Sequence, residues 1–136
     1  MELQKVTFKD ILELDVQLNG FSNGKVSVKG ILGETLNIKT KYWLGRLNDQ
    51  VTKEKKAFSN LRDEMVKKHG EESENGFEIK QLIDDKPNPA FAAFQEELVD
   101  LLSVEVEISF PQLDLEAFDF TSDNDYSYLL KHVVKS

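Results

Sequence analysis

Apolar residues recur at alternating three- and four-residue steps through Leu44, Leu47, Val51, Phe58, Leu61 and Met65, with Glu54 interrupting the series. Every other facet of this stretch is polar, so the pattern predicts one long helix with a narrow, coiled-coil-like seam. Asp49–Lys53, Asp63–Lys67 and Glu64–Lys68 have the acid-before-base spacing that adds about 0.3 kcal/mol each on a helix surface. Lys67, Lys68 and His69 put cations at the negative helix end, and Gly70 stands where a left-handed cap is expected. Lys41 to His69 as a helix would be about 43 Å long at 1.5 Å per residue. A helix of that length with so narrow a stripe needs a partner. Whether it starts at Lys41 or earlier, near Leu36, is open at this level.

Around it the same patterns predict shorter elements. Thr7 and Asp10 have capping-box spacing, with Val6 and Ile11 placed as a staple, and Phe8, Ile11, Leu12, Leu14 and Leu18 give an apolar face. Asn19-Gly20 stops that helix. Val26 and Val28 alternate with polar residues as a short strand does, after an Asn23-Gly24 turn. Asn75-Gly76 introduces a short strand at Phe77, and Asp84-Asp85-Lys86-Pro87 reads as a loop. Asn88 before Pro89 is a helix start, and Phe91, Phe94, Leu98 and Leu101 match the long seam, which predicts an antiparallel helical hairpin. Val104, Val106, Ile108 and Phe110 form the best strand, with Phe77–Leu82 its expected partner. Ser122 and Asp125 offer a second capping box ahead of Tyr126, Leu129, Leu130, Val133 and Val134, a C-terminal helix docked on the body. The expected architecture is α+β and mostly helical, a single compact domain over 1–136. It consists of the hairpin and a small antiparallel sheet.

Composition narrows the function. At 136 residues the chain can build a core, and 40% apolar content is ordinary for a globular protein. No apolar run is long enough to span a bilayer, and the N-terminus lacks the regions of a signal peptide. The absence of Cys removes disulfides and thiolate chemistry and points to an intracellular setting. Net charge is −8, unevenly placed: −1 over residues 1–35, +5 over 36–69 and −12 over 70–136. So acidic a chain is a poor general binder of nucleic acid, and the acidic half is expected to fold back on the basic helix.

Candidate chemistry is sparse. His69 and His132 each lie near a predicted helix end without a second ligand at metal spacing, and neither belongs to a His-Glu-x-x-His pattern. Asp123-Asn124-Asp125 starts like a calcium loop but lacks its Gly and closing Glu. Gly30-Ile31-Leu32-Gly33 is no phosphate loop. With no poised acid, base, nucleophile or metal, the chain reads as a non-enzyme without cofactors. The aromatics are the remaining candidates for partner binding. Tyr42 and Trp43, being adjacent, cannot both face one core. Phe118, Phe120 and Tyr126 sit among acids, where they either anchor the core or dock on a partner.

The block from Gly30 to Leu47, Gly-Ile-Leu-Gly-Glu-Thr-Leu-Asn-Ile-Lys-Thr-Lys-Tyr-Trp-Leu-Gly-Arg-Leu, resembles a family of small phage-encoded proteins of unknown function. Phe58, Arg62 and Glu64 with Lys67-Lys-His-Gly-Glu, and Phe94-Gln-Glu-Glu-Leu with Leu101-Leu-Ser-Val-Glu-Val-Glu-Ile, resemble two further blocks. The chain departs from that pattern at Asn37, where Pro is expected, and at His69, where the family has Tyr. The resemblance implies a phage origin. Two functions fit these features. One is a virion or assembly component acting by protein–protein contact, with itself or with a larger phage protein. The other is a host-directed inhibitor that presents its acidic face to a host defence or nucleic-acid enzyme.

Overall fold

The computed structural model describes all residues except Met1, Asn75, Thr121, Asp123 and Ser136, and the side chain of Glu2. The Asn75 turn and the calcium-loop reading at Asp123 therefore lie outside the described residues. Among the described residues the chain is α+β and mostly helical, with one long helix and small antiparallel sheets. It divides into two compact units, residues 1–55 with 105–136, and residues 56–104. The long helix belongs to both.

In the first unit, β1 (Glu2–Thr7) leads directly into α1 (Phe8–Asn19). The capping box forms as its spacing predicts: Thr7 Oγ1 accepts from the Asp10 amide, and Asp10 Oδ2 accepts from the Thr7 amide at 2.9 Å. Gly20 ends the helix at φ 83°, and a Cβ there would sit 2.3 Å from the Val28 carbonyl, so only glycine fits. The chain then makes a small hairpin, β2 (Gly20–Ser22) with β3 (Ser27–Lys29). Val26 precedes the strand, and both it and Val28 are exposed. Gly30 passes so close to the end of α1 that a Cβ would lie 2.4 Å from the Leu18 carbonyl oxygen. That approach seats the fully buried Ile31, which opens a short 3-10 turn over Ile31–Gly33.

The long helix, α2, spans Ile38–His69. Its start is set by Asn37, whose side chain accepts from the Thr40 amide at 2.9 Å while its carbonyl accepts from Lys41. Leu44, Leu47 and Val51 of the seam join Ile11, Leu14 and Leu18 of α1 in one buried cluster. A fully buried leucine or isoleucine contributes about 1.5–3 kcal/mol. Thr40, also buried, donates its hydroxyl to the Ala117 carbonyl.

The strand at the end of the chain's middle, β8 (Glu105–Phe110), pairs antiparallel with β1, Val6 opposite Val106 and Gln4 opposite Ile108. This corrects the expected pairing with Phe77–Leu82. Ile108 and Phe110 point inward as the alternation predicts, while Val104 lies outside the strand and is exposed. Leu115–Phe118 forms a 3-10 turn. The last helix, α4 (Ser127–Val133), packs Leu129 and Val133 into the core. Its expected Ser122–Asp125 capping box does not form. Ser122 Oγ accepts from Asn124, and Asp125 Oδ1 accepts from the Ser127 amide, one turn later than expected.

In the second unit, α2 ends at His69 with its cations in place, but Gly70 is not left-handed. Glycine is required there because a Cβ would lie 2.5 Å from the Glu78 carbonyl oxygen. Two minimal hairpins follow, β4 (Glu71–Ser73) with β5 (Gly76–Glu78), and β6 (Leu82–Ile83) with β7 (Lys86–Pro87). The loop at Asp84 and Asp85 is the second hairpin's two-residue turn. Both residues have positive φ, 51° and 63°, as a type I′ turn demands. Helix α3 (Pro89–Leu102) starts on Asn88, which accepts from the Ala90 amide at 3.0 Å. It runs back along α2: Lys68 and His69 meet Glu97, while Leu61 and Met65 share a groove with Leu101.

Candidate functional site

The two units differ in how they treat apolar residues. The buried cluster lies in the first unit. Among the described residues of 56–104, Phe58 is the one buried side chain. Helix α3 buries none of its residues, although Phe91, Phe94, Leu98, Leu101 and Leu102 all lie on it. Leu61, Phe77, Leu82, Ile83, Val99 and Val104 are between 41% and 65% exposed. A unit of roughly fifty residues cannot close a core of its own with so little burial.

An open groove lies between α2 and α3, with a volume of about 470 Å³. Leu61, Met65 and Leu101 form its apolar floor, and Glu64, Glu97, Asp100 and Lys68 its rim. Lys68 Nζ lies 2.7 Å from Glu97 Oε1, and His69 Nε2 lies 2.8 Å from the same oxygen. Lys68 and His69 together hold the Glu97 carboxyl below its usual range. Lys68 thus bridges to α3 rather than to Glu64, its expected partner one turn back along α2. A smaller cavity of about 270 Å³ lies beside His69, Glu78, Lys80 and Asp84.

The expected partner-binding aromatics separate. Tyr42 is exposed, stacks edge-on against Trp43 at 5.1 Å, and accepts from Arg46 Nη1 at 3.2 Å. Trp43 is half-buried against the core. Phe118 and Tyr126 are buried and Phe120 packs against the same cluster, so these three anchor the fold. Tyr126 shows why: its hydroxyl donates to the Lys29 carbonyl at 2.9 Å and tethers the C-terminal segment beside Ile31. Burial, with Glu34 nearby, raises its pKa.

A polar cluster in the first unit was not expected from the sequence. Tyr128 donates its hydroxyl to Asp10. His132 stacks edge-on against Tyr128 at 5.2 Å, and its Nδ1 lies 3.3 Å from Gln4 Oε1. Burial opposes ionisation of Asp10, yet hydrogen bonds from Tyr128 and Thr7 outweigh it and the pKa falls. Burial and then the Asp10 contact raise the Tyr128 pKa. Burial, with Lys131 adding to it, lowers that of His132. The cluster therefore holds a carboxylate, a phenol and a neutral imidazole near neutral pH. That is a lock between α1 and α4, with the carboxylate already committed as a helix cap. His132 Nε2 is buried without a hydrogen-bond partner among the described residues.

Among the described residues no group of three or more His, Cys, Asp or Glu side chains is placed to hold a metal ion. No described helix is long and apolar enough to cross a membrane. No family model, curated protein or solved structure matches the chain.

Proposed function

We propose that this chain is a non-enzymatic phage protein acting by protein–protein contact, as a virion or assembly component. The observation that carries this reading is the second unit, whose apolar side chains are at best partly buried on its helices, apart from Phe58, and which leaves Leu61, Phe77, Leu82, Ile83, Val99 and Val104 exposed. A first unit with a closed core would serve as the platform for it. The sequence blocks that resemble small phage proteins support the origin, and a place in the host cytoplasm or the virion follows from it. Mass spectrometry of purified particles tests the proposal. Stoichiometric recovery with the particle proteins supports a virion component, and recovery in assembly intermediates alone supports a transient assembly factor. Absence from both contradicts it.

A second reading, a host-directed inhibitor, is favoured by the β4–β5 hairpin, where Glu71, Glu72, Glu74 and Glu78 are all exposed. Such a surface can stand in for phosphates against a basic host enzyme. A complex of that kind weakens steeply with salt, whereas a mainly apolar assembly contact does not.

A further inference from the structure

From the groove of the second unit, we infer that the partner of this protein presents a basic amphipathic helix, seated between α2 and α3. The inference rests on the protein-contact reading above and names the chemistry of the partner. Two antiparallel helices cover only one face of each other, and a third helix at a shallow crossing angle is the natural way to fill the groove they leave. Leu61 and Met65, one turn apart on α2, and Leu101 on α3 offer the floor that apolar anchors at helical spacing would meet.

The rim selects the sign. Glu64, Glu97 and Asp100 supply three carboxylates; Glu97 is already engaged by Lys68 at 2.7 Å and His69 at 2.8 Å, so Glu64 and Asp100 set the sign of the rest of the rim. The outer side of α3 continues the same charge through Glu96 beside the exposed Val99, and α3 carries no cation. Lysine or arginine flanking an apolar stripe satisfies this rim. A second copy of the chain packed groove to groove would bring one acidic rim against the other, and like-charge contact works against it.

The test uses the full chain and two synthetic eighteen-residue amphipathic helices, one Leu/Lys and one Leu/Glu, each dye-labelled and titrated by fluorescence anisotropy. The Leu/Lys helix is expected to bind at least tenfold more tightly than the Leu/Glu helix. Leu61→Asp, an exposed position, should weaken it at least tenfold with the circular-dichroism spectrum unchanged, and Glu64→Lys with Asp100→Lys should invert the preference. Equal binding of the two helices overturns the inference. So does binding of the Leu/Lys helix that neither variant changes, since it would then be attracted elsewhere on an acidic chain. Sedimentation equilibrium supplies the remaining arm: a wild-type dimer lost in Leu61→Asp would give the groove to a second copy and overturn the helix assignment. Any of these failures leaves the protein-contact reading standing, because that reading is judged on particle composition.

Discussion

Gln50 on α2 and Ser109 on β8 exchange two hydrogen bonds: Gln50 Nε2 donates to the Ser109 carbonyl at 2.8 Å, and the Ser109 amide donates to Gln50 Oε1 at 2.8 Å. The other edge of β8 is taken by β1. A two-stranded ribbon leaves an open edge on each strand, and here a side-chain amide substitutes for a third strand at one residue. Gln50→Ala removes both bonds and leaves a partly buried amide and carbonyl unpaired, at about 1–3 kcal/mol, slightly offset by the better helix propensity of Ala. Urea denaturation should show a lower midpoint with an unchanged slope.

That relationship also shows what the sequence conceals. The helix caps at Thr7 and Asn88 and the alternation of Val106, Ile108 and Phe110 are local signals, and each leads to the element observed. Strand β1 is not legible, because Leu3 points outward at 71% exposed while Gln4 and Val6 turn inward. Polar and apolar positions are thereby exchanged at its start, and without β1 the strand at Glu105–Phe110 is assigned the wrong partner. The start of α2 is left open by the pattern because its apolar periodicity does not mark it, and the Asn37 cap sets it. That α3 is only partly buried is invisible in its own pattern, since an apolar seam looks the same whether its partner covers it fully or in part.

Acid should weaken the first unit through His132 and Asp10. His132 has a folded pKa below its ordinary 6.5, so the unfolded chain binds the proton more readily. Stability is then fully present above about pH 6.5 and declines as pH falls through the lower folded value. Asp10, lowered from 3.8, adds a further loss below about pH 4. Thermal melts from pH 8 to pH 3 should fall in these two steps. His132→Phe should flatten the first and leave the second.

Phe58 is buried on α2 in a unit with little else buried. Phe58→Ala should cost about 3–5 kcal/mol in the isolated chain. Chemical denaturation of the monomer measures this, and unchanged monomer stability would mean that the burial contributes nothing within one chain.

Gly45 lies in the middle of α2 with nothing within 4 Å of where a Cβ would stand. Gly45→Ala should raise stability by about 0.5–1 kcal/mol through helix propensity and a less flexible unfolded chain. A higher melting temperature is the expected readout.

The central claim is that the uncovered apolar surface of residues 56–104 is where this protein meets its partner. Affinity capture of tagged chain from infected host cells, read by mass spectrometry at two salt concentrations, tests it most directly when wild type is run beside Leu61→Asp. The account predicts that wild type recovers phage particle proteins at both salt concentrations and that Leu61→Asp loses them while remaining folded. Recovery of the same proteins by Leu61→Asp would contradict it, and a single host enzyme released at high salt would establish the acidic face as the working surface instead.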